Sequence, residues 1–239
     1  MRIVTWNLQG SKLRDIEGVA AKLVELDADV VCCQEIQRRQ LGGLRDHVGP
    51  YAEWSLKHWP VRVPSEGLGV MARIPIVQAR GFTISRGIPF WSWRRRIAQS
   101  IVVATDAGLV RIVNTHLGAD IPDRARARQA RRILERVGAV DLVAGDLNVT
   151  PDSHVLAEFE PCVEAWERRH PGSPHPSTNW EHGPRDHAPI RRLDFVLVGP
   201  DLDVLDVQIP RRWETWAPLS DHLPVVVDLD LGPASPQEA

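Results

Sequence analysis

Cysteine is scarce in this sequence, and its spacing excludes two familiar uses. Two of the three cysteines, Cys32 and Cys33, are adjacent within an apolar run and no Cys-x-x-Cys pair occurs, which argues against both a disulfide framework and a zinc site. A reducing compartment is expected, and with it a cytoplasmic protein. No apolar run approaches the roughly 18 residues that span a bilayer, and Arg2-Ile3-Val4-Thr5-Trp6 passes into Asn, Gln and Gly rather than into the apolar stretch of a secretion signal. No transmembrane segment is expected. Excess charge of one sign is also missing: 29 basic residues face 31 acidic ones, so no global positive field announces a polyanionic partner. Lysine is nearly absent, 3 residues against 26 arginines, a bias that GC-rich codon usage explains without special phosphate chemistry.

What is present is an ordinary globular composition, 239 residues with 43% hydrophobic and 25% charged, which excludes a disordered or collagen-like chain. The chain opens with a strand, Ile3 to Trp6, a turn at Asn7-Leu8-Gln9-Gly10, and a helical stripe of Leu13, Ile16, Val19, Ala20, Leu23 and Val24. A second, buried strand covers Asp29 to Cys33. Further strands are predicted at Leu68 to Ala72, Ile97 to Ala104, Val110 to Thr115, Val140 to Ala144, Phe195 to Val198 and Leu223 to Leu231. A helix is predicted from Asp123, as cap, to Val137. Helices interleave with strands, giving an α/β or α+β class with covered sheets. Residues 1–231 are expected to form one domain and 232–239 a frayed tail; Pro161 to Arg192 is expected to be a long surface loop near the site.

Polar residues recur at one end of these strands: Asn7, Glu35, His116, Asp146 with Asn148, and Asp221-His222. Each alone has a dull explanation as a turn or cap. Together they form a carboxylate, amide and imidazole set at strand ends, where ligands collect, and such a set suits a hard divalent cation and a phosphoryl group.

Thr5-Trp6-Asn7, Gln34-Glu35, Asn114-Thr115-His116-Leu117, Gly145-Asp146-Leu147-Asn148, Leu193-Asp194-Phe195 and Ser220-Asp221-His222-Leu223-Pro224 resemble, in order and approximate spacing, the motifs of the endonuclease/exonuclease/phosphatase superfamily, the pancreatic deoxyribonuclease-like fold. The resemblance implies a four-layer sandwich of two face-packed mixed β-sheets flanked by helices, and a phosphoesterase dependent on Mg²⁺, with Mn²⁺ able to substitute. It further implies that Glu35, Asn7 and Asp221 surround the metal. Asp146 then activates the attacking water, Asn148 holds the phosphate or a second ion, His222 contacts the phosphate with Asp194 fixing its tautomer, and His116 donates to a non-bridging oxygen. Arg96 and Arg191 are the expected substrate-binding residues.

His116 stands where abasic-site endonucleases of this superfamily generally carry tyrosine, Arg191 where they tend to carry tryptophan, and Gln9 where they usually carry aspartate. Abasic-site specificity is therefore not expected. Trp91, Trp93 and Arg94-Arg95-Arg96 suit either base stacking or a lipid interface. Arg124, Arg126, Arg128, Arg131 and Arg132 are either a phosphate track or a solvated helix face, and the dispersed His170, His175, His182 and His187 do not have zinc-ligand spacing. The leading expectation is a nuclease acting on DNA or RNA, without an obligate protein partner. The alternatives are a phosphatase or phospholipase-like diesterase acting on a phosphoinositide, sphingolipid or small phosphoester, and a catalytically dead binding module.

Overall fold

The computed structural model describes residues 1–59, 65–180 and 187–232. Two six-stranded sheets dominate it. The first runs β11 (Asp203–Gln208), β12 (Val225–Asp230), β1 (Arg2–Asn7), β2 (Val30–Ile36), β4 (Gly67–Ala72), β3 (Tyr51–Leu56). The second runs β5 (Ile76–Thr83), β6 (Ile97–Thr105), β7 (Gly108–His116), β8 (Leu142–Asp146), β10 (Asp194–Val198), β9 (Val163–Glu164). Each sheet contains one parallel pair, β1 with β2 and β7 with β8. A parallel pair needs a crossover, and helices α1 (Ile16–Leu26) and α3 (Asp123–Val137) supply it in the two sheets, with α2 (Arg38–Leu44) following β2 and α4 (Ala165–Arg169) following β9.

Alternation along the strands builds the four layers. Ile3, Val30, Cys32, Val70, Ile101, Ile112, Leu142, Ala144 and Val196 form the core between the sheets. Their neighbours Val4, Trp6, Val31 and Cys33 point the other way, against Val19, Ala20 and Leu23 of α1. On the far side, Val113, Val143, Phe195 and Leu197 pack under Ala127, Ala130 and Ile133 of α3. Cys32 and Cys33 thus serve different layers, and all three cysteines are buried and free. At roughly 1.5–3 kcal/mol per large apolar side chain buried, these layers supply the bulk of the driving force for folding.

Toward the ends of β1, β2 and β7 the core between the sheets turns polar. Gln34 donates to Thr5 Oγ1 at 2.9 Å and to Asn114 Oδ1 at 2.8 Å, while Asn114 donates to the Cys33 and Gly69 carbonyls at 3.1 and 3.0 Å. Every donor of these two buried amides is satisfied, as their burial requires. The cluster lies directly beneath the strand ends that carry Asn7, Glu35 and His116.

Several expectations are corrected. The segment from Pro161 to Arg192 is not a plain surface loop: it carries β9 and α4, and Asn179 bridges to both Arg191 and His222. Proline and histidine break its periodicity, and pairing with β10 orders it. The cap of α3 is Pro122, not Asp123, because the Asp123 carboxylate accepts from Ser153 and Arg126 instead. Helix α1 starts at Ile16, capped by Asp15, and Val24 faces solvent at 58% exposure. The strands β3, β5 and β11 have mostly half-exposed or exposed residues, which is why hydrophobic runs did not announce them. His182 and residues 233–239 of the expected tail lie outside the described residues. No helix among the described residues is long and apolar enough to cross a membrane.

Candidate active site

Register delivers the candidate side chains to one end of the sandwich. Asn7 pairs with Gln34 in one parallel pair, and His116 with Asp146 in the other, so both crossovers end at the same edge; Asp194 enters antiparallel, opposite Asp146. A cleft of about 700 Å³ opens there. Asn7, Glu35, Arg96, His116, Asp146, Asn148, Arg191, Asp221 and His222 all line it, and Asp194 lies directly behind His222.

The backbone is bent to achieve this. Glu35, Gln9 and Asn148 hold φ of +55°, +45° and +52°, a conformation that costs free energy for residues other than glycine and concentrates at functional sites. For Glu35 the cause is visible: the β2–β4 register shifts between Cys33 and Ile36, a bulge that re-aims the carboxylate into the cleft. Gly145, at φ +153°, lets β8 approach β7 so closely that a Cβ there would sit 1.9 Å from the Thr115 carbonyl oxygen.

His222 is the centre of the polar network. Its Nδ1 lies 2.8 Å from Asp194 Oδ2, which also accepts from Thr178 Oγ1 at 2.6 Å. Burial disfavours the imidazolium, but the Asp194 charge and hydrogen bond, with Asp146 and Asp221, outweigh it and push the His222 pKa up to about 10. Asn179 Nδ2 meets Nε2 at 2.8 Å. Asp146 accepts from Asn7 Nδ2 at 3.0 Å and from the Asn148 amide at 3.0 Å, and its Oδ2 lies 3.8 Å from His222 Nε2 and 3.5 Å from His116 Nε2. Burial, resisted by His222, and the neighbouring Asp194 and Glu35 charges raise the Asp146 pKa. His116 is driven the other way by burial and by the Arg96 and Lys57 charges, well below 6.5, and so is neutral at pH 7. Its Nδ1 stands 3.7 Å from Glu35 Oε1.

Among the described residues no Lys or Arg nitrogen comes within 4.0 Å of the Glu35 or Asp146 carboxylate. Asn7 Oδ1 accepts from the Gln9 amide at 3.0 Å and Asp221 Oδ2 from the Gln9 side chain at 2.6 Å, so one residue braces both. Asn7, Glu35 and Asp221 offer oxygen only, which fits a hard divalent ion. A tighter group, Asp146, Asp194 and His222, has its ligand atoms within 4.8 Å of one another, but Asp194 and His222 are already bound to each other.

Sequence reading missed several lining residues. Lys57, buried and 3.8 Å from Glu66, has its pKa lowered by burial and by the Arg96 charge. Lys12 lines the cleft too; two of three lysines in a chain that otherwise uses arginine were the available signal. Asn179 had none beyond a polar cluster in an aperiodic segment, nor had Thr178, which lies behind the cleft on Asp194. His175 lies 3.7 and 3.6 Å from Glu164 and Glu167, away from the cleft.

The model of the endonuclease/exonuclease/phosphatase family matches residues 4–222. The chain belongs to that family. No curated protein matches the sequence significantly. Among solved structures, the family member from Beutenbergia cavernae DSM 12333 is 24% identical, with 98% of this chain and 72% of that one covered and a TM-score of 0.75. The mannosyl-6-phosphatase from Bacteroides thetaiotaomicron is 18% identical (96% and 99% covered, TM-score 0.71), and D. rerio TDP2 complexed with a single-strand DNA product is 15% identical (96% and 98%, TM-score 0.74). The two sheets and flanking helices are the fold of these endonuclease/exonuclease/phosphatase proteins, a family of phosphoester hydrolases.

Proposed function

We propose that this member of the family is a Mg²⁺-dependent phosphodiesterase whose substrate is a nucleic acid strand. One arrangement supports the reaction above all: the Asp146 carboxylate and His222 Nε2 face each other at 3.8 Å, with Asp194 behind the imidazole at 2.8 Å. A phosphoryl group seated over this pair meets a base and a hydrogen-bond donor side by side.

Glu35, with Asn7 and Asp221, would hold Mg²⁺. Bound there, the ion would polarise a phosphoryl oxygen and neutralise charge on the leaving oxygen. Asp146, raised in basicity by its burial, takes the proton of the attacking water. Asp194 holds the His222 ring in place so that Nε2 donates to a non-bridging oxygen. Neutral His116 donates a further hydrogen bond, and Asn148, already anchored on the Leu117 carbonyl at 3.1 Å, contacts the phosphate. Catalysis is positioning and fixed electrostatics around an in-line displacement.

The nucleic acid reading is supported by the cleft rim, where Trp93 and buried Arg96 stand together. A lipid phosphodiester is the second reading, favoured by the exposed Trp59, Phe90, Trp91 and Trp93. A Mg²⁺-dependent hydrolysis panel decides between them, with single- and double-stranded DNA, abasic duplex, RNA, phosphoinositides, sphingomyelin and an aryl phosphodiester. Cleavage of DNA or RNA well above the lipids is expected; turnover confined to lipids would overturn the reading.

A further inference from the structure

A second cavity, about 380 Å³, adjoins the cleft across Trp93, Arg96, Ala119 and Asp120. Its floor is apolar, with Ile84, Ile88, Ile121 and Ala125; its rim carries Arg86, Arg94, Arg128 and Arg132. Four of the six arginines of α3 divide into two groups. Arg126 and Arg131 are neutralised, by Asp123 at 2.6 Å and by Glu158 at 2.6 Å. Arg128 and Arg132, one helical turn apart on one face, point at the cavity instead. Among the described residues no carboxylate lies within 4.0 Å of the four rim arginines. Arg132 is anchored on the Ile84 carbonyl at 2.9 Å, and the Arg94 guanidinium lies 5.2 Å from the centre of the half-exposed Trp93 ring.

Guanidinium groups without a carboxylate partner around a largely apolar floor, beside an exposed indole, suit a flat base attached to a phosphate. We propose that this cavity binds the base and phosphate of a nucleotide neighbouring the cleaved bond. Trp93 stacks on that nucleotide, and the four rim arginines hold its phosphate. The assignment rests on the nucleic acid reading above. It makes the protein prefer strands that extend past the scissile phosphate on the side of α3, and leaves the chemistry at Asp146 and His222 unaffected.

The test compares wild type with the Arg86→Ala/Arg128→Ala double variant and with Trp93→Ala. Steady-state hydrolysis of a short single-stranded oligonucleotide and of bis(p-nitrophenyl) phosphate is measured beside oligonucleotide binding by fluorescence anisotropy across a salt series. The double variant is expected to raise KM for the oligonucleotide about tenfold, with kcat and the aryl diester unchanged. Its slope of log affinity against log salt falls by up to about 0.7, the share of one phosphate on a single strand, and Trp93→Ala weakens binding without altering that slope. Unchanged KM and slope in the double variant, with the oligonucleotide still cleaved, would overturn the cavity assignment alone. Wild type that turns over the aryl diester yet neither binds nor cleaves the oligonucleotide would overturn the nucleic acid reading and the assignment with it. Anionic vesicles bound through the same arginines, without oligonucleotide binding, would do the same in favour of a lipid.

Discussion

Arg191 donates from Nε and from a terminal nitrogen to Asn179 Oδ1, at 3.1 and 2.8 Å, and so decides which end of that amide meets His222. With Oδ1 occupied, Nδ2 turns to His222 Nε2 and the Asp221 carbonyl. An amide donor needs a lone pair on Nε2, which the neutral ring has and the imidazolium lacks. Asp194 favours the charged ring from the other side. His222 is held between two opposed demands, and in the proposed mechanism a phosphoryl oxygen arriving at Nε2 would displace Asn179 in favour of the donor form.

Asn179→Ala removes a bond made only to neutral His222, so the His222 pKa in metal-free protein rises further, by about 0.5 to 1 pH unit. Arg191→Ala moves it in the same direction by less. NMR titration of the His222 ring nitrogens reads both. A fall in either variant contradicts the assigned amide orientation. Because the folded pKa of His222 is raised, its contribution to stability is full below about 6.5 and is lost as pH climbs toward 10.

Asp146→Asn keeps the shape but cannot take the water's proton. Turnover falls about 10²–10⁴-fold while oligonucleotide binding persists. A loss under about tenfold would assign water activation to another group, as single-turnover kinetics would reveal.

Glu35→Gln removes one anionic oxygen from the proposed metal site. The Mg²⁺ midpoint of activity shifts upward by at least about tenfold, with the thermal midpoint of metal-free protein nearly unchanged because the side chain is partly exposed. An unmoved Mg²⁺ midpoint excludes Glu35 as a ligand.

Gly145→Ala places a methyl group against the Thr115 carbonyl at a φ unfavourable to L residues. Destabilisation exceeds about 1 kcal/mol, measured by urea unfolding, and activity falls through displacement of Asp146 next in the chain. A neutral effect would mean that β7 and β8 separate at no cost.

Legibility in the sequence tracked periodicity and local motif. The place of Asp146 at the cleft was readable because it stands among polar residues at the ends of several apolar runs, and Cys32 and Cys33 marked a strand buried on both faces. Strands such as β5, exposed along most of their length, left no hydrophobic trace. Asn179 was unreadable for a different reason: its partners Arg191 and His222 come from distant positions, and nothing in a chain of letters signals that an amide will be gripped at both ends. The split among the α3 arginines was likewise invisible, since Glu158, which claims Arg131, arrives from another segment.

The amides of Gln34 and Asn114 bear on how the molecule keeps its two halves aligned. Asn7 and Glu35 ride on one sheet, His116, Asp146 and Asp194 on the other, and the apolar contacts between the sheets have no direction of their own. The bonds from Gln34 to Asn114, and from Asn114 to the carbonyls of β2 and β4, act as a dowel through that interface. They sit at the end where a slip between the sheets would separate Glu35 from Asp146, and so hold the candidate groups of the two sheets in register there.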